Sequence, residues 1–311
     1  MITVTLLGTS ALLPLPERAL TAVFLACEGH SVLFDCGEGT QSAARKAGVS
    51  LMKTDLIALT HYHGDHVFGL PGLLQTMNSM GRTLPLYITG PEDLQERMAP
   101  ILELTERTGY EIRLVTLPPE GLQLCSLMPG WPDAAYLTPF PTEHRIPSQG
   151  YRFMLDRAGK FLPLRAKELD IPVSLWSILQ KGTPIQINGR EILPEEVTGP
   201  PRKGLKVVFS GDTAPCSSLT EQAKDADLLI CEGTYGDNAQ AELAEMYGHM
   251  TFARAAETAA AAEVGELWLA HYSQMIEEPE TYLPNALEFF PRTVCGKDGL
   301  TKQLRFESDS L

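Results

Sequence analysis

Between Leu59 and Leu70 the chain reads LTHYHGDHVFGL, which puts His61, His63, Asp65 and His66 within six positions. Imidazole nitrogens and a carboxylate at this density are donors suited to zinc and similar cations. In extended backbone alternate residues share a side, so His61 and His63 point the same way. A turn at Gly64 then swings Asp65 and His66 toward a second position. Four such side chains on one tight loop do not easily converge on one tetrahedral ion, so the spacing favours two metals. A solvated polar loop or a satisfied core histidine explains any one of these residues. It does not explain His-x-His-x-Asp-His directly after an apolar run.

The other candidates also follow apolar runs. His144 comes after YLTPFPTE, Asp212 after KVVFSG and His271 after ELWLA. Taken singly, an Asp after Gly is a turn residue and a strand-end His faces solvent. Their joint recurrence carries the weight, because strand ends along one sheet edge are where α/β sites assemble. Five of the seven histidines are thus metal-ligand candidates and His249 lies near one, while His30, in the turn EGHS, is assigned no role.

The elements needed to position these residues are legible as alternating short strands and helices. ITVTLL, TAVFLAC, SVLFD, TDLIALT, LPLYITG, YEIRLVTL, KVVFSGD, ADLLICEGT and GELWLAHYS read as strands. EGTQSAARKAG reads as a helix capped at Gly48, and the Ala-rich TFARAAETAAAAEVG as another. DHVFGLPGLLQTMNSMG reads as one helix, with Pro71 in its first turn or kinking it. The pattern predicts an α/β architecture with its site along one sheet edge.

The 311 residues are 44 % hydrophobic and 21 % charged, the composition of a globular protein with a sizeable core. No apolar run is long enough to span a membrane. MITVTLLGTS reads as a strand rather than a signal peptide, which makes a cytoplasmic address the expectation. The six cysteines are scattered without a CxxC pair, so reduced thiols are expected. The formal charge of −14 is unevenly spread: residues 150–206 hold ten Lys/Arg and six Asp/Glu, leaving −18 for the rest. Phosphate affinity comes from local basic patches, so the total does not exclude nucleic acid. This region reads as an insertion, residues 155–203, in a single domain spanning 1–311. It is a candidate basic arm for RNA.

THYHGDHVFGLPGLL, together with LGTSALLP, FDCGEGTQ, GPPRKGLKVVFSGDT, CEGTY and HYS, resembles the ribonuclease Z family, tRNA 3′-processing endonucleases of the metallo-β-lactamase superfamily. The similarity runs from Met1 to Phe306. It implies a four-layer αβ/βα sandwich with two mixed sheets and two zinc ions per chain. One zinc would take His61, His63 and His144, the other Asp65, His66 and His271, with Asp212 bridging. Asp65 would take or orient the proton of the attacking water. Glu232 in CEGTY would fix the tautomer of His249 in YGHMTF and hold it protonated, and the pair would handle the scissile phosphate and leaving group. The resemblance further implies a homodimer in which one subunit's arm serves the other's site.

The chain departs from the family pattern at several places. Ala19 replaces an asparagine, SQMIEE follows His271 where Ser-x-Arg-Tyr is usual, and HMT stands for HST. Ser174 and Leu175 replace the Gly-Pro of the arm. The expected function is removal of the 3′ trailer from tRNA precursors. The alternatives are hydrolysis of small or cyclic phosphodiesters without efficient tRNA docking, and RNA binding without catalysis.

Overall fold

Strand-forming runs buried on both faces organise the chain into two large sheets. A computed structural model describes residues 1–105 and 107–307. Its strands are β1 Ile2–Gly8, β2 Ala22–Cys27, β3 His30–Phe34, β4 Leu56–Ala58, β5 Leu86–Thr89, β6 Ile112–Leu114, β7 Leu122–Gln123 and β8 Ala135–Pro141. They continue as β9 Gln149–Arg157, β10 Ile185–Ile187, β11 Arg190–Ile192, β12 Arg202–Phe209, β13 Leu228–Glu232, β14 Leu267–Ala270, β15 Thr293–Cys295 and β16 Thr301–Leu304.

One seven-stranded sheet has the order β16-β1-β2-β3-β4-β5-β6, and the other β15-β14-β13-β12-β9-β8-β7. Both are mixed. The strands β3 to β6 pair parallel in the first, as do β12 to β15 in the second. Alternation then sorts the side chains. Val4, Leu6, Leu25, Val32 and Phe34 face Phe153, Val207, Phe209 and Ile230 between the sheets. Their neighbours Leu7, Phe24, Leu33 and Ile57 turn outward under helices Thr40–Lys46, Leu70–Ser79 and Leu94–Leu104. On the other flank Val208, Leu229, Cys231 and Leu269 pack under Phe252–Ala261. The result is the four-layer αβ/βα arrangement, with each fully buried large side chain contributing about 1.5–3 kcal/mol.

The segment after the histidine loop differs from the single helix read in the sequence. A short helical turn, Gly64–Val67, is separated by Phe68 and Gly69 from Leu70–Ser79, and Pro71 sits in the first turn of the second helix. Close packing explains the break. A Cβ at Gly69 would lie 2.2 Å from the carbonyl oxygen of Gly37, and one at Gly37 would lie 2.3 Å from that of Asp65. These two glycines let the loops after β3 and β4 touch, which sets the depth of Asp65 and His66.

Residues 158–201 leave the second sheet between β9 and β12 and form an excursion with helices Pro163–Glu168 and Val173–Gln180 and the β10–β11 hairpin. Its own small core contains Ala166, Ile171, Leu179, Ile185, Ile192 and Val197. The IPVSLWSIL segment is helical from Val173, and Trp176 donates to the Ile171 carbonyl at 2.9 Å and packs against Phe161. The excursion itself holds five Lys/Arg and five Asp/Glu, so it is electrically neutral. The positive surplus lies on the flanking strands, in Arg152, Arg157, Arg202, Lys203 and Lys206. No helix of the described residues is long and apolar enough to cross a membrane.

Candidate metal centre

The chain exits from the sheets deliver the site residues to one edge. Asp35 follows β3, His61 to His66 follow β4, and His144 follows β8. Asp212 follows β12, Glu232 ends β13, and His271 follows β14. Both Asp35 and His271 have positive φ, 56° and 58°, a conformation that costs of order 1–3 kcal/mol and clusters at functional sites.

The seven sequence-predicted ligands come together in two groups. In the first, His63 Nδ1 lies 3.0 Å from His61 Nε2 and 3.2 Å from His144 Nε2, with Asp212 Oδ2 3.6 Å from His61. In the second, His271 Nε2 lies 3.4 Å from His66 Nε2 and 3.5 Å from Asp65 Oδ2. Asp212 faces both: Oδ2 is 3.4 Å from His66 Nε2, and Oδ1 is 3.2 Å from His271 Nε2.

Four of the five histidines have their other ring nitrogen occupied. His61 Nδ1 donates to Thr60 Oγ1 at 3.0 Å, and that hydroxyl donates to Asp35 at 2.8 Å. His66 Nδ1 donates to Asp35 at 2.7 Å, and His144 Nδ1 to the Gly248 carbonyl at 2.8 Å. His271 Nδ1 donates to Thr234 Oγ1 at 2.9 Å, which in turn donates to Glu232 at 2.7 Å. Each bond fixes the tautomer so that Nε2 presents its lone pair inward, the outer support expected of metal-binding histidines.

This donor set fits divalent metal. Lone pairs 3.0–3.4 Å apart on facing rings do not satisfy one another, and Asp212 Oδ1 is buried without a hydrogen-bond partner among the described residues. A buried unpaired carboxylate oxygen is costly unless a cation meets it. Burial lowers the pKa of His61, His63 and His144, keeping their rings neutral. Burial also pushes His66 down, but Asp212 and Asp35 outweigh it and raise its pKa, the signature of a negative field that attracts positive charge.

Beside the cluster lies the Glu232–His249 pair, at 2.9 Å from Oε1 to Nδ1. Glu232 is buried and also accepts from the amides of Thr213 and Met250 at 2.8 and 3.0 Å. Burial lowers the His249 pKa, but the adjacent Glu232 carboxylate more than compensates and raises it to about 9. The Glu232 carboxylate thus favours the protonated form of His249. Asp65 accepts from the backbone amide of Leu12 at 2.8 Å. A cavity of about 600 Å³ opens onto Asp65, Asp212, His249 and His271, and Leu12 and Phe68 stand exposed on its rim. His30 is remote and bonds Asp55 at 3.2 Å.

Sequence reading did not assign roles to Asp35, Thr60, Thr234 or the Leu12 amide. Leu12 lies inside LGTSALLP, Asp35 inside FDCGEGTQ, Thr60 directly before His61 and Thr234 inside CEGTY, but none of these motifs identifies a partner across the fold.

A two-sheet sandwich with this cluster at its edge is a metallo-β-lactamase fold. The chain superposes on the metallo-β-lactamase fold protein YhfI from Bacillus subtilis with a TM-score of 0.67 and 21 % identity, covering 97 % of this chain and 98 % of that one. It belongs to the ribonuclease Z family, whose members are hydrolytic nucleases. The chain is 40 % identical to ribonuclease Z of Lachnospira eligens over 99 % of its own length and 100 % of the relative's. It also matches the crystal structure of human tRNase Z, short form, at 27 % identity and a TM-score of 0.67, covering 98 % and 100 % of the two chains. A family model for the anti-Pycsar protein Apyc1 matches residues 2–100.

Proposed function

We propose that this protein is a di-zinc phosphodiesterase that removes the 3′ trailer from tRNA precursors. The observation that carries the reading is the convergence of seven donors into two groups sharing Asp212, beside the buried Glu232 and its half-buried partner His249, in a ribonuclease Z chain. His61, His63 and His144 would hold one zinc, and Asp65, His66 and His271 the other. Two such cations supply positive charge for the attacking and leaving oxygens of an in-line displacement at phosphorus.

The chain's own residues do the rest. Asp65, its carboxylate held by the Leu12 amide, orients water and takes its proton. His249, oriented by Glu232, donates its proton to the leaving 3′-oxygen as the P–O3′ bond breaks. The upstream product keeps a 3′-hydroxyl and the trailer keeps the phosphate. The excursion at 158–201 is read as the docking arm for tRNA, and the molecule as a cytoplasmic homodimer in which that arm serves the partner's site.

A second reading, hydrolysis of small or cyclic phosphodiesters, draws on the neutrality of that excursion. The deciding experiment gives the protein a 3′-extended tRNA precursor and, separately, a small chromogenic phosphodiester. Precursor cleavage should dominate in kcat/KM and fall steeply with salt as phosphate contacts are screened, while the small diester responds far less. Turnover of the small diester without precursor cleavage would establish the second reading instead.

A further inference from the structure

The catalytic cavity is nearly devoid of basic residues: among the described residues Arg145 is the one lysine or arginine on its wall. Arg145 also lines a second cavity of about 800 Å³, whose wall includes His144 but not His249. The side chain is exposed, and its guanidinium lies 5.2 Å over the Tyr247 ring, a stacked contact that holds the charge at the junction. The second cavity is walled by Pro91, Pro119, Pro141, Ile146 and Pro147. Proline rings there offer stiff apolar surface at little cost in ordering, suited to a ribose or base rather than to a phosphate.

Resting on the tRNA-processing reading, we propose that Arg145 grips the RNA backbone next to the scissile phosphate. The proline-walled cavity beyond it then holds the first nucleotides of the 3′ trailer. The direction follows from the proton donor. His249 lines the catalytic cavity and not the second one, so the nucleotide whose 3′-oxygen leaves belongs in the catalytic cavity. The strand on the other side of the phosphate departs past His144, and Arg145 is the cation it meets there. A guanidinium is suited to this, with planar donors for a phosphate edge and a face that remains on tyrosine.

The test uses the full-length protein loaded with zinc and tRNA precursors carrying trailers of one, two, four and eight nucleotides. Wild type should gain in kcat/KM as the trailer lengthens over the first few nucleotides, then level off. Arg145→Met should lose about 10–100-fold on the long trailers, the size of a lost charge-assisted hydrogen bond, and less on the one-nucleotide trailer. Its salt dependence should weaken by about 0.7 in the logarithmic slope, one single-strand phosphate contact, which a merely structural change would not produce. Pro147→Glu, an exposed position in the second cavity, should flatten the length dependence in the same way while retaining zinc. Wild-type cleavage indifferent to trailer length, or variants with the wild-type length and salt dependence, would overturn the proposal and leave tRNA processing intact. Failure of wild type on every precursor would overturn both.

Discussion

The metal centre and the excursion at 158–201 are built by opposite rules. At the centre nearly every polar atom is fixed by a partner distant in sequence: Asp35 serves Thr60 and His66, Gly248 serves His144, and Thr234 joins His271 to Glu232. The excursion rests on a small local core, its charges cancel, and Leu164 and Val173 stand exposed on its helices. Donor chemistry tolerates little variation because both partners of each buried bond must be present. Substrate docking tolerates more, since it depends on surface presented to a large ligand. On the proposed reading, catalysis and substrate docking would reside in separable parts of one chain.

The largest effect that sharpens this contrast is expected at the bridging carboxylate. Asp212→Ala should abolish activity on precursor and small diester alike and lower bound zinc from about two equivalents per chain, read by elemental analysis alongside an unchanged circular dichroism spectrum. Tight binding of a single zinc by wild type at saturation would break the two-ion account. Next comes the proton donor. His249→Ala should keep both zinc ions and slow turnover roughly 10²–10⁴-fold, the range for lost acid catalysis. Glu232→Ala should follow it, and the double variant should cost little beyond the worse single, because the two act as one unit.

A smaller loss is expected one bond further out. Asp35→Asn removes a charge that orients His66 directly and His61 through Thr60, and zinc affinity should drop about 10–100-fold in competition with a chelator. Unchanged affinity would show that the histidines are held by packing alone. The smallest effect belongs to the excursion surface. Leu164→Ser with Val173→Ser should change stability by no more than about 0.5 kcal/mol per site while raising KM for the precursor a few-fold.

How much of this was legible beforehand follows the same division. The ligands were readable because each follows an apolar strand that carries its own signal, as KVVFSG does before Asp212 and ELWLA before His271. Asp35 was legible only as the end of the strand SVLFD and a member of FDCGEGTQ, since its importance depends on Thr60 and His66, 25 and 31 positions away. The strands Thr293–Cys295 and Thr301–Leu304 are too short for a periodic signal and exist through pairing with β14 and β1. The helix break at Phe68–Gly69 is likewise a contact effect, imposed by the Gly37 carbonyl. Charge counting over 150–206 joined two strands to the excursion and so credited it with cations that belong to its root. There Lys203 pairs with Asp227 at 3.1 Å and Arg157 stacks on Phe306.

Removing the excursion tests the separation most directly. Arg157 and Arg202 are paired across β9 and β12, so residues 158–201 can be replaced by a two-residue Asn-Gly hairpin turn. The shortened protein, loaded with zinc, is then assayed for kcat/KM on a 3′-extended tRNA precursor and on the small phosphodiester. The account predicts near-complete loss of precursor cleavage with small-diester turnover largely kept, since binding energy remote from the scissile bond has been removed and the centre has not. Equal loss of both activities in a protein that still binds two zinc ions, or precursor cleavage at the full-length rate, would contradict it.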